Sequence, residues 1–297
     1  MEFNVIDLQR YFSFLGLEEY KLILPEPSLD TLQKIVERHA LKVPFQNVDF
    51  QTNYYLSKKL YSKADWDLST LQKLILDRRR GAICSETHFL LEAALSAIGF
   101  KVQFLSAAGM PYHPDKRRAH CSLLVEVESS YYLVDTTYSF YGARGPLKFD
   151  FNTQQETVLF DYEKYEIVVG PSYYQVNAVF EGKAQPLFYF LRENGVPVTL
   201  DREVMISDTI TKMYSDEPWS FRDGLILIGG PTEDGRSYHW WNYKEQKGYL
   251  LRRSNYLSKE ERAVFKDFTA FKESVDEVYE IKVPMRLQKM LSLRPKL

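Results

Sequence analysis

Apolar residues near the start of the chain recur at helical spacing. Leu32, Ile35 and Val36 share a stripe behind Ser28 or Asp30, either of which can cap a helix. Val43 precedes Pro44, which disfavours helix and predicts its end there. A second helix is predicted from near Ser69, with Leu71, Leu74 and Ile75 on one face. It runs into Arg78-Arg79-Arg80 and stops at Gly81, since basic residues followed by glycine suit a helix C-terminus. A third is predicted to open just after Cys84, with Leu90, Leu91, Ala94, Leu95 and Ile98 periodic and Gly99 closing it.

The period then falls to two. Val102, Phe104 and Ser106 alternate with their neighbours, as do Cys121, Leu123, Val125 and Val127, and Tyr131 to Asp135 follow after Ser129-Ser130. Further strand-like runs at 157–160, 165–169 and 174–180 predict a small β-barrel or curled sheet. The last third is mixed. Residues 185–193 read as linker helix or strand, 204–214 as extended chain or short helix, and 224–228 and 238–242 as strands. Ser258 with Glu261 fits a capping box and predicts a closing helix there. The expected parts are residues 1–100, helical; 101–205, β; and 206–297, mixed.

The chain has 38 Lys and Arg against 40 Asp and Glu, a formal charge of −2, so no field of one sign invites nucleic acid. The runs at 78–80, 116–118 and 252–253 read first as solvated faces. Two cysteines make no disulfide framework, which fits a reducing cytosol. The N-terminus lacks the basic start and apolar core of a signal peptide, and no run of about 18 apolar residues occurs. The expectation is a soluble, cytoplasmic protein without membrane or nucleic-acid partners.

Cys84 is the first candidate for chemistry. A helix N-terminus favours a thiolate and supplies unpaired N–H donors. A buried cysteine acting as a small hydrophobe fits the position equally well. A nucleophilic thiol needs a base and a group that orients the base. The histidines available are His39, His88, His113, His120 and His239. His120 begins an apolar strand and Asp135 ends the next, where a carboxylate needs a partner or solvent. Alone, Asp135 reads as a turn cap. If Ser129-Ser130 is the turn, Leu124 faces Asp135 and His120 lies about 13 Å along the strand. Direct contact then needs a bulge, an earlier turn, or strands that are not simple neighbours. His88, one helical turn after Cys84, is a rival base. Neither cysteine shows the paired spacing of a metal site.

These residues resemble the arylamine N-acetyltransferase family. Arg80-Gly81-Ala82-Ile83-Cys84-Ser85-Glu86 is similar to its Arg-Gly-Gly-aromatic/aliphatic-Cys-x-Glu signature, and Pro44-Phe45-Gln46-Asn47-Val48 to its Pro-Phe-Glu-Asn-Leu segment. His39 fits as well. The order and spacing of Cys84, His120 and Asp135 resemble its triad, and Pro218-Trp219-Ser220-Phe221 loosely resembles its Pro-x-Ser-x-Phe region. The resemblance implies an α+β fold in three parts: a helical bundle, a β-barrel and an α/β lid, with a Cys-His-Asp core like that of cysteine proteases. It implies acetyl transfer from acetyl-CoA to an arylamine, hydrazine or N-hydroxyarylamine through an acetyl-cysteine, a xenobiotic-metabolising activity. Lys116, Arg117 and Arg118 would lie near the CoA pyrophosphate, Ser220 would contact CoA, and Phe45 and Tyr138 would line the acceptor pocket. Arg80 and Glu86 would bond around the Cys loop.

The chain departs from the family at Gln46 for Glu, Ala82 for Gly, His88 for Asn, and Thr136-Thr137-Tyr138-Ser139 for Val-Gly-Phe-Gly. The last segment lines the acceptor pocket in the family, so the change bears on acceptor choice. Rival readings are a thiol hydrolase or transglutaminase-like enzyme, and a CoA-binding paralogue without turnover.

Overall fold

The computed structural model describes residues 5–57, 62–113, 120–160, 162–214, 225–254 and 260–292. Helices come first: α1 (Leu8–Leu15), α2 (Glu19–Leu22) and α3 (Leu29–Lys42), then the short strand β1 (Phe45–Gln46), α4 (Val48–Gln51) and α5 (Leu68–Gln72). As predicted, Ser28 caps α3, accepting from Thr31 N–H, and Val43 ends it. α5 continues as a π turn, Lys73–Asp77, so the second helix stops before the arginines rather than at Gly81. α6 (Cys84–Ile98) opens on Cys84 and closes on Gly99 in the left-handed region.

The barrel strands are β2 (Lys101–Gly109), β3 (His120–Val127), β4 (Ser130–Val134), β5 (Leu147–Phe149), β6 (Gln155–Leu159), β7 (Glu163–Val169), β8 (Tyr173–Phe180) and β9 (Lys183–Glu193). They run antiparallel in the order β5-β4-β3-β2-β9-β8-β7-β6, and the short β10 (Val196–Pro197) and β11 (Thr199–Leu200) pair with β9 and β2. Residues 185–193 are therefore strand, not helix. Period two sorts the side chains between two cores. Phe104, Leu123 and Val125 pack outward on the helical region with Phe89 and Leu90. Leu105, Ala107, Leu124 and Leu133 fill the barrel with Phe149, Tyr174 and Phe188. Each large apolar side chain buried in this way contributes about 1.5–3 kcal/mol.

After helix α7 (Arg202–Tyr214), a five-stranded sheet runs β1-β12-β13-β14-β15, formed by β12 (Leu225–Thr232), β13 (Gly235–Asn242), β14 (Lys247–Ser254) and β15 (Glu260–Phe265). α8 (Phe268–Tyr279) and α9 (Met285–Ser292) follow. Phe268, Phe271 and Val275 pack on Ile226, Ile228 and Trp241. The closing helix starts later than predicted. Ser258 lies outside the described residues, and Glu260 and Glu261 belong to strand β15, paired with Arg253 and Arg252. The cap is Asp267, which accepts from the N–H groups of Thr269 and Ala270. Edge pairing outweighed the local capping preference.

β1 ties this last sheet to the helical region, because Phe45 pairs with Gly229 of β12 on one side and Ala82 on the other.

Candidate active site

The loop ahead of Cys84 is shaped by close backbone contact. Ala82 N–H donates to Pro44 C=O at 3.0 Å, and Gln46 N–H to Ala82 C=O at 3.0 Å. Gly81 sits at φ +68°, and a Cβ there would lie 2.4 Å from the Pro44 carbonyl oxygen. The tight position is thus Gly81. Ala82, where the family has its second glycine, is not at positive φ and is fully buried, so its methyl group is accommodated. Arg80 bonds the Asp49 carboxylate at 2.6 Å and Glu86 at 3.4 Å. Gln46 donates to the same Asp49 at 2.7 Å. Asp49 supplies the anion that Gln46 cannot. Glu86 accepts from Ile83 N–H at 3.2 Å and fixes the entry to α6.

Cys84 is the first residue of α6 and is 7% exposed, against 1% for Cys121 on β3. Only the former has any opening to solvent worth naming. His120 and Asp135 come from the hairpin β3–β4, whose register differs from that expected. Val127 pairs with Ser130, so the turn is Glu128-Ser129, both in the left-handed region at φ 49° and 64°. The earlier turn moves Asp135 by two residues, opposite Ser122 instead of Leu124. His120, on the same face as Ser122, then reaches Asp135 diagonally. Its Nε2 bonds Oδ2 of Asp135 directly. Ser122 donates to the same oxygen at 2.5 Å, and Thr137 N–H to Oδ1 at 3.2 Å.

Charge and burial oppose each other here. Burial disfavours an imidazolium at His120, but the charge and hydrogen bond of Asp135, and those of the Cys84 sulfur, outweigh it and hold the ring's pKa up to about 10. Burial would raise Asp135, yet His120, with help from His88 and Ser122, draws it below its ordinary value. With Nε2 on Asp135, Nδ1 is the nitrogen left for the sulfur. The site is built to hold a charged ring between sulfur and carboxylate.

His88 has neither nitrogen to spare. Nδ1 lies 2.8 Å from the Cys84 carbonyl oxygen, which only accepts, so Nδ1 carries the proton. Nε2 accepts from Thr136 N–H at 3.3 Å. Complete burial drives its pKa down to about 4. His88 is a neutral brace between α6 and the loop after Asp135.

Tyr138 packs edge-on to His120 with centroids 4.9 Å apart, and Phe188 lies 5.0 Å from both rings. The Tyr138 hydroxyl donates to Leu187 C=O at 2.8 Å. Phe45 is buried on β1, bridged to Ala82 two residues before Cys84. Lys116, Arg117, Arg118 and Ser220 lie outside the described residues. Ser122, Phe188 and the bracing role of His88 were missed from sequence. Ser122 had a signal, since it alternates with His120 on one strand face. Phe188 had none, being brought in by pairing of β2 with β9.

The family model described as N-acetyltransferase matches residues 28–195. The arylamine N-acetyltransferase of Mycolicibacterium smegmatis is 29% identical over 194 residues, covering 63% of this chain and 66% of that protein. The chain thus spans just under two thirds of the length of this curated relative. Among solved structures, a variant of the Mycobacterium smegmatis N-arylamine acetyltransferase superposes with a TM-score of 0.77 at 22% identity, covering 97% of this chain and 98% of that one. The Mycobacterium marinum arylamine N-acetyltransferase in complex with CoA gives 0.75 at 21%, covering 96% and 98%. The structural matches establish the fold, and with the family match the chain belongs to the arylamine N-acetyltransferase family.

Proposed function

We propose that this chain transfers an acetyl group from acetyl-CoA to an arylamine, hydrazine or N-hydroxyarylamine by way of acetyl-Cys84. One observation carries the reading: His120 is bonded to Asp135 through Nε2 while its other side interacts with the Cys84 sulfur, all three side chains being buried. That is a thiol with a positioned base.

In the first half-reaction the Cys84 thiolate attacks the thioester carbonyl. Backbone N–H groups opening α6, including that of Cys84, have no intrahelical carbonyl to bond and can hold the oxyanion. The C–S bond to CoA breaks, and the His120 imidazolium protonates the leaving thiolate. In the second half-reaction the neutral amine nitrogen attacks acetyl-Cys84. His120 takes its proton, and the Cys84 thiolate departs. Asp135 fixes the ring so that Nδ1 faces the sulfur and steadies its charge throughout. The titrating pair is therefore reset each turn.

Lys116 and Arg117 are assigned to the CoA pyrophosphate and Ser220 to a CoA contact. Phe45 and Tyr138 are assigned to the acceptor pocket, supported for Tyr138 by its packing against His120. Residues 1–100 would carry the nucleophile, 101–205 the base pair, and 206–297 the lid. A cytoplasmic setting suits a chain in which neither Cys84 nor Cys121 is in a disulfide.

The test is intact mass after mixing with acetyl-CoA alone. One acetyl group should be gained by the wild type and none by Cys84→Ala. Added arylamine should then discharge it faster than water does. A chain that gains nothing is no acetyltransferase, and discharge by water alone at the same rate would make it a thiol hydrolase.

A further inference from the structure

The loop from Thr136 to Arg144 follows Asp135 and carries Tyr138. It is closed at its base by Ala143 N–H donating to Asp135 C=O at 2.7 Å. Gly142 presses on the Thr136 backbone so tightly that a Cβ would lie 2.2 Å from its carbonyl oxygen. What holds the far side of this loop is the C-terminal sheet. Arg236 of β13 sends Nη1 to the carbonyls of Phe140 at 3.0 Å and Gly142 at 2.6 Å. Its Nη2 bonds Glu163 and, at 2.8 Å, the hydroxyl of Tyr165, both on β7. Tyr165 in turn donates to Tyr141 C=O at 3.2 Å. Arg144, from the loop itself, bonds Glu163 at 2.6 Å and returns to the sheet at Thr232 C=O, 3.4 Å away. Arg253, the register partner of Arg236 on β14, lies 5.7 Å from the centre of the Phe140 ring.

Arg236, Arg144 and Glu163 are each at most 4% exposed. Burying charge this deeply is costly, and replacing such a group by apolar residues is often neutral or stabilising. Stability alone is a weak reason for the arrangement. Geometry offers a better one. A planar fork of five donors serves two loop carbonyls, a carboxylate and a phenol hydroxyl at once, one partner more than the three donors of a lysine can reach.

We propose that Arg236 is a positioning residue by which the C-terminal sheet sets the loop carrying Tyr138, and through it the acceptor side of the site. The inference rests on the acetyl-transfer reading. The Asp135 carboxylate is held from β3 by Ser122 and His120, and only at the loop's near end by Thr137 N–H, so loosening the loop's far side is felt first at Tyr138. The donor half-reaction is spared and the acceptor half-reaction is not.

The experiment measures the two half-reactions separately in Arg236→Lys and Tyr165→Phe. Acetylation of Cys84 by acetyl-CoA is followed by intact mass, and discharge to aniline by loss of that mass, both scaled to sites titrated by CoA release. In Arg236→Lys, kcat/KM for aniline should fall about 10-fold or more relative to the acetylation rate constant, within the roughly 10²-fold that an ångström's misplacement can cost. Tyr165→Phe, which removes one hydroxyl and keeps the ring, should shift the same ratio in the same direction by less. A merely structural loss lowers the active fraction and scales both rates together, leaving the ratio unmoved. A wild type that is acetylated, with both variants keeping the ratio within about twofold of it, overturns the inference alone. A wild type that takes no acetyl group sinks the acetyl-transfer reading and this inference with it.

Discussion

Ser122 donates its hydroxyl to Asp135 at 2.5 Å, on the same carboxylate oxygen that bonds Nε2 of His120. Two residues apart on β3, serine and histidine converge on one oxygen, and the register of the hairpin makes that possible. A hydrogen bond to a charged group is worth about 1.5–3 kcal/mol, so Ser122→Ala should slow acetylation of Cys84 about 10- to 100-fold if all of it is felt at the imidazolium. Single-turnover mass measurements check this. An unchanged rate would mean that Asp135 is oriented without Ser122.

His88 and His120 should separate cleanly in kinetics. His120→Ala removes the proposed base and should lower acetylation by at least the 10²–10⁴-fold that general acid–base catalysis supplies. His88→Asn keeps a donor and an acceptor and should cost far less, while leaving the shape of the pH–rate profile unchanged. Loss of the profile's His-dependent limb in His88→Asn would make His88 the base and overturn the assignment.

Acid should destabilise the fold before its carboxylates titrate. Burial lowers His39 to about 3, and His88 and His239 to about 4, while the unfolded chain takes up these protons near pH 6.5. Between those values the unfolded state binds more protons, so stability falls as pH falls. Each group contributes a slope approaching 1.4 kcal/mol per pH unit, roughly. His120 has the opposite sign. Its pKa of about 10 stabilises the fold fully below pH 6.5, roughly, and that contribution is lost as pH rises toward the folded value. Denaturant titrations from pH 7 to 5 should show the acid loss, reduced by about one proton in His88→Asn. Equal stability at pH 7 and 5 would contradict it.

Neighbouring small residues before Cys84 should behave differently. Gly81→Ala places a Cβ 2.4 Å from a backbone oxygen at φ +68° and should destabilise by about 2 kcal/mol or more. Ala82→Gly, at a buried position of ordinary φ, should cost about 0.5–1 kcal/mol. Thermal unfolding of the two variants decides. Equal losses would mean that the Pro44 segment moves to accept the methyl.

Much of this molecule was legible in the residue pattern. Period 3.6, then 2, then a mixture follows from which faces must be buried, and that is a local property. Ser28, Gly99 and Val43-Pro44 mark helix ends through their own backbone preferences. Cys84 at the mouth of a helix could be read in the same way. One exception, Glu260 and Glu261, looked like a helix start and became an edge strand because β14 offered a partner.

The amino-acid order thus determined the sequence of structural parts, the helix that opens on Cys84 and the candidates for its partners. Tertiary structure decided which of those candidates meet. A one-residue shift of the β3–β4 turn, which moves the register by two, brought His120 to Asp135, and packing between α6 and the loop after Asp135 tied up His88. Strands and sheets remote in sequence delivered Phe188 and Arg236. Helix and strand propensities act over a few residues, whereas register, burial and charge pairing depend on what the rest of the chain places alongside.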